Sequence, residues 1–186
     1  MKSTAVEALA IRARAELLLS QEDIAAAVQR IAREITVTLE GQQPLVLAVM
    51  RGGVVFAGHL LPLLPFPLDF DYVDASRYGT AVRGSDLNWR VDVPAMAHGR
   101  VVLVVDDILD EGHTLAAIKE RLFVAGAAQV LLAVFADKQL EQAKPVTADF
   151  VAVTVPDRFV FGFGMDVRGM WRNLPAVYAL SWDEPE

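Results

Sequence analysis

Apolar residues at Ile24, Val28, Ile31 and Ile35 recur every three to four positions, the period of a helix that buries one face. Ser20, with Asp23 three residues on, makes a capping-box pattern ahead of them, and Gly41 follows, so this helix runs from 20 to about 39. The preceding residues, 5–19, read as a first helix. A different pattern then sets in. Residues 45–49, 101–105 and 129–136 are almost wholly apolar with no polar alternation, as in strands covered on both faces within a parallel sheet. Between them the spacing predicts helices over about 54–64 and 115–124. Further strands are expected over 69–76, 150–155 and 176–180, with 87–93 as a hairpin partner of 69–76. Buried strands alternating with helices predict an α/β fold.

Polar chemistry collects where these strands run out. The strand 101–105 ends on Asp106 and Asp107, and Asp110, Glu111, Gly112, His113 and Thr114 lead into the next helix. In open α/β sheets ligands bind beyond the carboxyl ends of strands, and a helix N-terminus offers unpaired N–H groups to an anion. Ionised Asp106 and Asp107 only accept hydrogen bonds, which suits a diol or, through water, a divalent cation. The Gly112 turn, the Thr114 hydroxyl and the helix-opening amides suit a phosphate. A sugar phosphate satisfies both halves. No Gly-Lys-Ser/Thr follows, so a P-loop is excluded.

Three further stretches reach the same rim. Arg51, Gly52 and Gly53 follow the strand 45–49 and form either a second anion cradle or a plain tight turn. Lys138, just past the strand 129–136, is either a solvated cation or a group of the site. Phe159, Phe161 and Phe163, interleaved with Gly162 and Gly164, are either satellite core or a wall for a flat heteroaromatic ring. The segment from Ser76, Arg77, Tyr78 and Gly79 to Asp86 is polar and long for a compact fold, which favours a lid that excludes water.

Composition narrows the classes. A formal net charge of −7 argues against a general nucleic-acid surface, and the absence of cysteine removes disulfides, thiolate metal sites and a thiol nucleophile together. The three histidines are scattered, without metal-ligand spacing. No signal-peptide core or membrane-spanning run is present, so a cytoplasmic protein is expected.

The central motif VVLVVDDILDEGHT, with DRFVFGFGMD and WRNLP further on, resembles the purine phosphoribosyltransferases, in their 6-oxopurine branch. The likeness runs from about residue 45 onward. It implies the type I phosphoribosyltransferase fold, a mainly parallel twisted sheet flanked by helices, with a small hood and a flexible hairpin loop. One domain over 1–186 is expected, its core at about 20–136 and its hood and purine-binding segment at about 137–180. The resemblance implies that Asp106 and Asp107 hold the ribose hydroxyls of 5-phosphoribosyl-1-diphosphate (PRPP), partly through Mg2+, and that residues 110–114 wrap its 5-phosphate. Asp110 becomes the acid/base at purine N7. Arg51, Gly52 and Gly53 match the pyrophosphate loop, which in relatives often carries a non-proline cis peptide, and Arg172 matches a pyrophosphate contact.

By the same likeness Ser76, Arg77, Tyr78 and Gly79 belong to the closing loop. Lys138 donates to the purine 6-oxygen, Phe159 stacks on the base, the Val160 backbone reads its edge, and Asp166 matches a magnesium-binding position. His113 and Arg51 depart from the family, in which other polar residues and lysine are frequent at these places. The implied reaction joins N9 of hypoxanthine or guanine to the phosphoribosyl group. A sensor of PRPP or nucleotides on the same fold, or a transferase for another base such as xanthine, remains the alternative; Lys138, a donor only, speaks against adenine. A homo-oligomer, dimer or tetramer, is expected, with the apolar helix 54–64 as a candidate contact. The role of the residues before 45 is left open.

Overall fold

The structure is a computed structural model that describes residues 4–77 and 87–180. Helix α1 (Ala5–Arg14) starts at a capping box in which Thr4 accepts from the Glu7 amide and Glu7 from the Thr4 N–H. The helix expected over 5–19 stops there. Ala15 turns extended and Glu16–Leu19 forms strand β1, because these residues pair antiparallel with a strand at Val177–Ala179, a distant partner that overrides local helix propensity. Helix α2 (Gln21–Leu39) follows the predicted pattern, with the Ser20–Asp23 capping box in place and Ile24, Val28, Ile31 and Ile35 buried.

Strand β2 (Leu45–Met50) leads through a turn into α3 (Gly53–Leu60), which tightens into a 3-10 turn at Leu61–Leu63, short of the expected Leu64. Pro62 in that turn removes the N–H that another α-helical turn needs. Then come β3 (Asp69–Arg77) and β4 (Leu87–Val91), antiparallel to each other as expected, β5 (Val101–Leu109), α4 (His113–Val124), β6 (Gln129–Lys138) and β7 (Phe150–Val155). Two short strands, β8 (Val160–Phe161) and β9 (Val177–Ala179), complete the set.

The main sheet has the order β4-β3-β2-β5-β6-β7 and is parallel except at the β4 edge. Both faces are covered. Ile31, Phe56 and Phe135 belong to the core on the α2 and α3 side, while Leu47, Ile118 and Leu132 belong to the core on the α4 side. A second sheet, β1-β9-β8, stands apart over a small core that includes Phe161, Val167 and Leu174, against which Ile11 of α1 packs. The N-terminal segment thereby gains a place: it is part of this upper sheet and of its core.

Two strands overrun their predicted ends by two residues or more. β5 continues to Leu109 and β6 to Lys138, because their parallel ladder persists to the Leu109–Asp137 rung. Asp106 and Asp107 therefore lie within a strand and not in the loop after it. On the other flank, β2 pairs with β5 only as far as the Ala48–Val105 rung. Beyond it the acids face the turn between β2 and α3, a notch in the sheet. Among the described residues no helix is long and apolar enough to cross a membrane.

Candidate active site

A cavity of about 680 Å³ opens at the carboxyl ends of β2, β5 and β6, within the size range of small-molecule sites. From β5 and the turn after it, Asp106, Asp107 and all of 110–114 line the cavity; Arg51 and Gly52 line it from the β2 side. Lys138, Phe159, Val160, Asp166 and Arg172 complete the lining. Gly53 lies behind the lining, where a Cβ would come within 2.6 Å of the Val105 carbonyl oxygen. Ser76 and Arg77 end β3, and Ala75 before them reaches the cavity; Tyr78 and Gly79 lie outside the described residues.

The acids and the glycine turn are in direct contact. A Cβ on Gly52 would fall 1.7 Å from Asp107 Oδ2, and one on Gly164 would fall 2.4 Å from the Gly52 carbonyl oxygen. Glycine is required at both by closeness of approach, and Gly164 also has φ +103, in the left-handed region. The Arg51–Gly53 turn is thus packed tightly against the acids, with Arg51 and Gly52 on the cavity wall. The Met50–Arg51 peptide is cis, as the family resemblance implies.

Asp106 and Asp107 are 8% and 9% exposed, and the Asp107 N–H donates to Asp106 Oδ1 at 2.8 Å. Burial, then the neighbouring Asp107 charge, pushes the Asp106 carboxyl well above the ordinary carboxylate range. Burial also raises Asp107, against the pull of its hydrogen bond with Asp106 and of the Arg172 cation. Arg172 approaches Asp107 Oδ2 at 3.6 Å, donates to the Gly164 carbonyl at 2.6 Å and pairs with the Asp166 carboxylate. The Gly169 N–H also donates to Asp166, at 2.7 Å.

This pair makes a pH-dependent prediction. A carboxyl raised in the fold contributes stability that is full below its unfolded pKa and is lost as pH rises through the folded value. Asp106→Asn keeps the shape and stays neutral at every pH. The ligand-free variant is expected to melt above the native protein at neutral pH, by roughly 2–4 °C per kcal/mol recovered, the gap closing toward pH 4. Differential scanning fluorimetry in chelator-treated buffer from pH 4 to 8 measures it; a gap that widens toward acid pH would contradict the raised carboxyl.

Lys138 is no solvated cation. Its side chain is 12% exposed, and its Nζ lies 2.8 Å from Asp110 Oδ2. The three aromatics divide between their two readings: Phe161 and Phe163 are buried in core, whereas half-buried Phe159 faces the cavity. Gly112 adopts φ +82 ahead of α4, leaving the helix-opening N–H groups beside the acids. The cavity wall also includes Leu140 and Gln142, which no sequence motif singles out, and Asp157, the first residue of DRFVFGFGMD, to which the resemblance assigns no role. Among the described residues no cluster of three or more His, Cys, Asp or Glu converges on a metal position, so the acid pair offers at most two carboxylates.

A cavity that sets paired acids beside a helix opening and a glycine turn has the form the sequence resemblance leads one to expect. Residues 15–168 match the family described as the phosphoribosyl transferase domain. The chain belongs to the phosphoribosyltransferase family. Over 166 residues it is 31% identical to the hypoxanthine-guanine phosphoribosyltransferase of Streptococcus thermophilus (strain CNRZ 1066), covering 89% of this chain and 92% of that phosphoribosyltransferase. It is 33% identical over 163 residues, 87% of its length, to the Bifunctional protein TilS/HprT of Listeria monocytogenes serotype 4b (strain F2365), of which it spans 25%. Among solved structures, the hypoxanthine phosphoribosyltransferase of Staphylococcus aureus superposes with a TM-score of 0.85 at 26% identity, covering 92% of this chain and 95% of that one. The type I phosphoribosyltransferase fold and the resemblance carried by DRFVFGFGMD and WRNLP are both borne out.

Proposed function

We propose that this chain salvages purines, transferring the 5-phosphoribosyl group of PRPP to N9 of hypoxanthine or guanine to give IMP or GMP and pyrophosphate. The observation that carries this reading is one cavity lined together by Asp106, Asp107, the α4 opening, the Lys138–Asp110 pair and Phe159. In this reading Asp106 and Asp107 accept from the ribose hydroxyls, and residues 110–114 hold the 5-phosphate through backbone N–H groups and the Thr114 hydroxyl. Arg51 and Arg172, with the glycine turn, receive the departing pyrophosphate.

Bond cleavage at the anomeric carbon builds positive charge on the sugar and negative charge on the leaving group, so fixed cations and excluded water both lower the barrier. Lys138 donates to the purine 6-oxygen, Phe159 stacks on the ring, and Asp110 takes the N7 proton as the ring gains charge at N9. Oxygen donors limited to a buried carboxylate pair fit magnesium, which keeps most of its shell from water and substrate oxygens. Asp106 and Asp107 would hold that ion, and it would offset charge on the pyrophosphate; Asp166, which the resemblance matches to a magnesium position, is paired with Arg172 instead.

A spectrophotometric assay with PRPP, Mg2+ and each base in turn tests the proposal. Nucleotide should form with hypoxanthine or guanine and not with adenine. Turnover of adenine alone, or none with any base, would refute it. Val54 and Leu63, 44% and 41% exposed on and just after α3, leave apolar surface for the expected homo-oligomer. A monomer by sedimentation at assay concentration would remove that part.

A further inference from the structure

Lys144 lies on the segment between β6 and β7, and none of the roles above uses it. Its side chain is 12% exposed, and its ammonium donates to Leu109 O at 2.7 Å, Asp137 Oδ1 at 2.6 Å and Lys138 O at 2.5 Å. Three acceptors use all three donors of an ammonium group. The acceptors belong to two adjacent strands, at the point where each leaves the sheet. Leu109 is the last residue of β5, directly before Asp110, and Lys138 is the last of β6. The ladder between these strands ends at the Leu109–Asp137 rung. Lys144 ties the two tips together just past that rung, where the Asp110 and Lys138 side chains meet at 2.8 Å.

The residues after it brace the same loop. A Cβ on Gly112 would lie 3.4 Å from both Pro145 Cδ and Val146 Cγ2, so this segment backs the turn at van der Waals range. Stability alone is a poor reason for the arrangement, since a buried ion pair is often matched or bettered by apolar packing. Fixing two polar strand tips at one separation is what an ammonium with three acceptors does better.

We propose that Lys144 is a positioning residue that sets the spacing of Asp110 and Lys138, and through it the placement of the purine against the sugar carbon. The proposal rests on the reading of Asp110 as proton acceptor and Lys138 as donor to the base. The phosphate-binding amides should be spared, because Gly112 is held separately by the Ala116 N–H at 2.9 Å. A displacement of about 1 Å in such a pair can cost on the order of a hundredfold in rate.

Steady-state kinetics of Lys144→Met, Lys144→Arg and Asp110→Asn, well below each variant's Tm, test it. Lys144→Met is expected to lower kcat roughly 10- to 100-fold and raise KM for the base, while KM for PRPP moves less than about threefold. Lys144→Arg, which keeps charge and donors, should recover most of the loss. Should Lys144→Met fail to fold, Lys144→Gln is read the same way. A lowered Tm with kcat and base KM unchanged, beside a crippled Asp110→Asn, overturns the positioning role alone. Unchanged turnover in Asp110→Asn overturns the proton-transfer reading on which it rests.

Discussion

Gly52→Ala is expected to lower kcat/KM for PRPP by about a hundredfold or more, among the largest effects of any single methyl in this chain. The added Cβ would sit 1.7 Å from Asp107 Oδ2 and 2.3 Å from its Cγ, so the carboxylate has to swing away or the turn has to lift. Either movement separates the acid pair from the glycine turn. Gly58→Ala, on the helix α3 that follows the turn, is the control, since a Cβ there meets nothing within 4 Å. That substitution should leave kinetics unchanged and stabilise the helix by roughly 0.5–1 kcal/mol. Comparable PRPP kinetics in the two variants would show that contact between turn and acids does not matter to the reaction.

Asp110→Asn should reduce kcat by roughly 10²–10⁴-fold, about 3–5 kcal/mol of barrier, with KM for PRPP altered only a few-fold. The amide keeps the shape and can still meet Lys138, but it cannot accept a proton. Loss of turnover and of PRPP affinity in equal measure would instead make Asp110 a binding group for the sugar phosphate. The split between the two constants is therefore the deciding observation, and it needs saturation with each substrate in turn.

Much of this architecture is legible in the sequence because its signals are local. The runs at 45–49, 101–105 and 129–136 are apolar on both parities, and the sheet buries them on both faces. The Ser20–Asp23 pattern caps α2 as read. Thr4 with Glu7 offers the same kind of signal for α1 and was available to the same reasoning. What escapes depends on partners far along the chain. Glu16–Leu19 has the composition of a helix end and becomes a strand only because Val177–Ala179 lies beside it. The overrun of β5 and β6 past their apolar runs follows from a ladder between them, which neither run reveals alone.

The site shows the same division. Acids, glycines and Lys138 stand out as residue types at strand ends, and the fold brings them to one cavity. Phe161 and Phe163 look like Phe159 in sequence, and only burial tells core from wall. Leu140 and Gln142 carry no motif, and Lys144 reads as an ordinary surface lysine until its three acceptors are seen.

The middle strand of the upper sheet, β9, is the last of its three to be synthesised. On the ribosome, β1 has no partner until Val177–Ala179 has emerged, and until then Phe159 and Val160 lack the scaffold that seats them. Asp106, Asp107 and residues 110–114 of the cavity lining all precede β8 and β9 in the chain. A nascent chain therefore carries these acids and the α4 opening before the Phe159 side of the cavity can take shape.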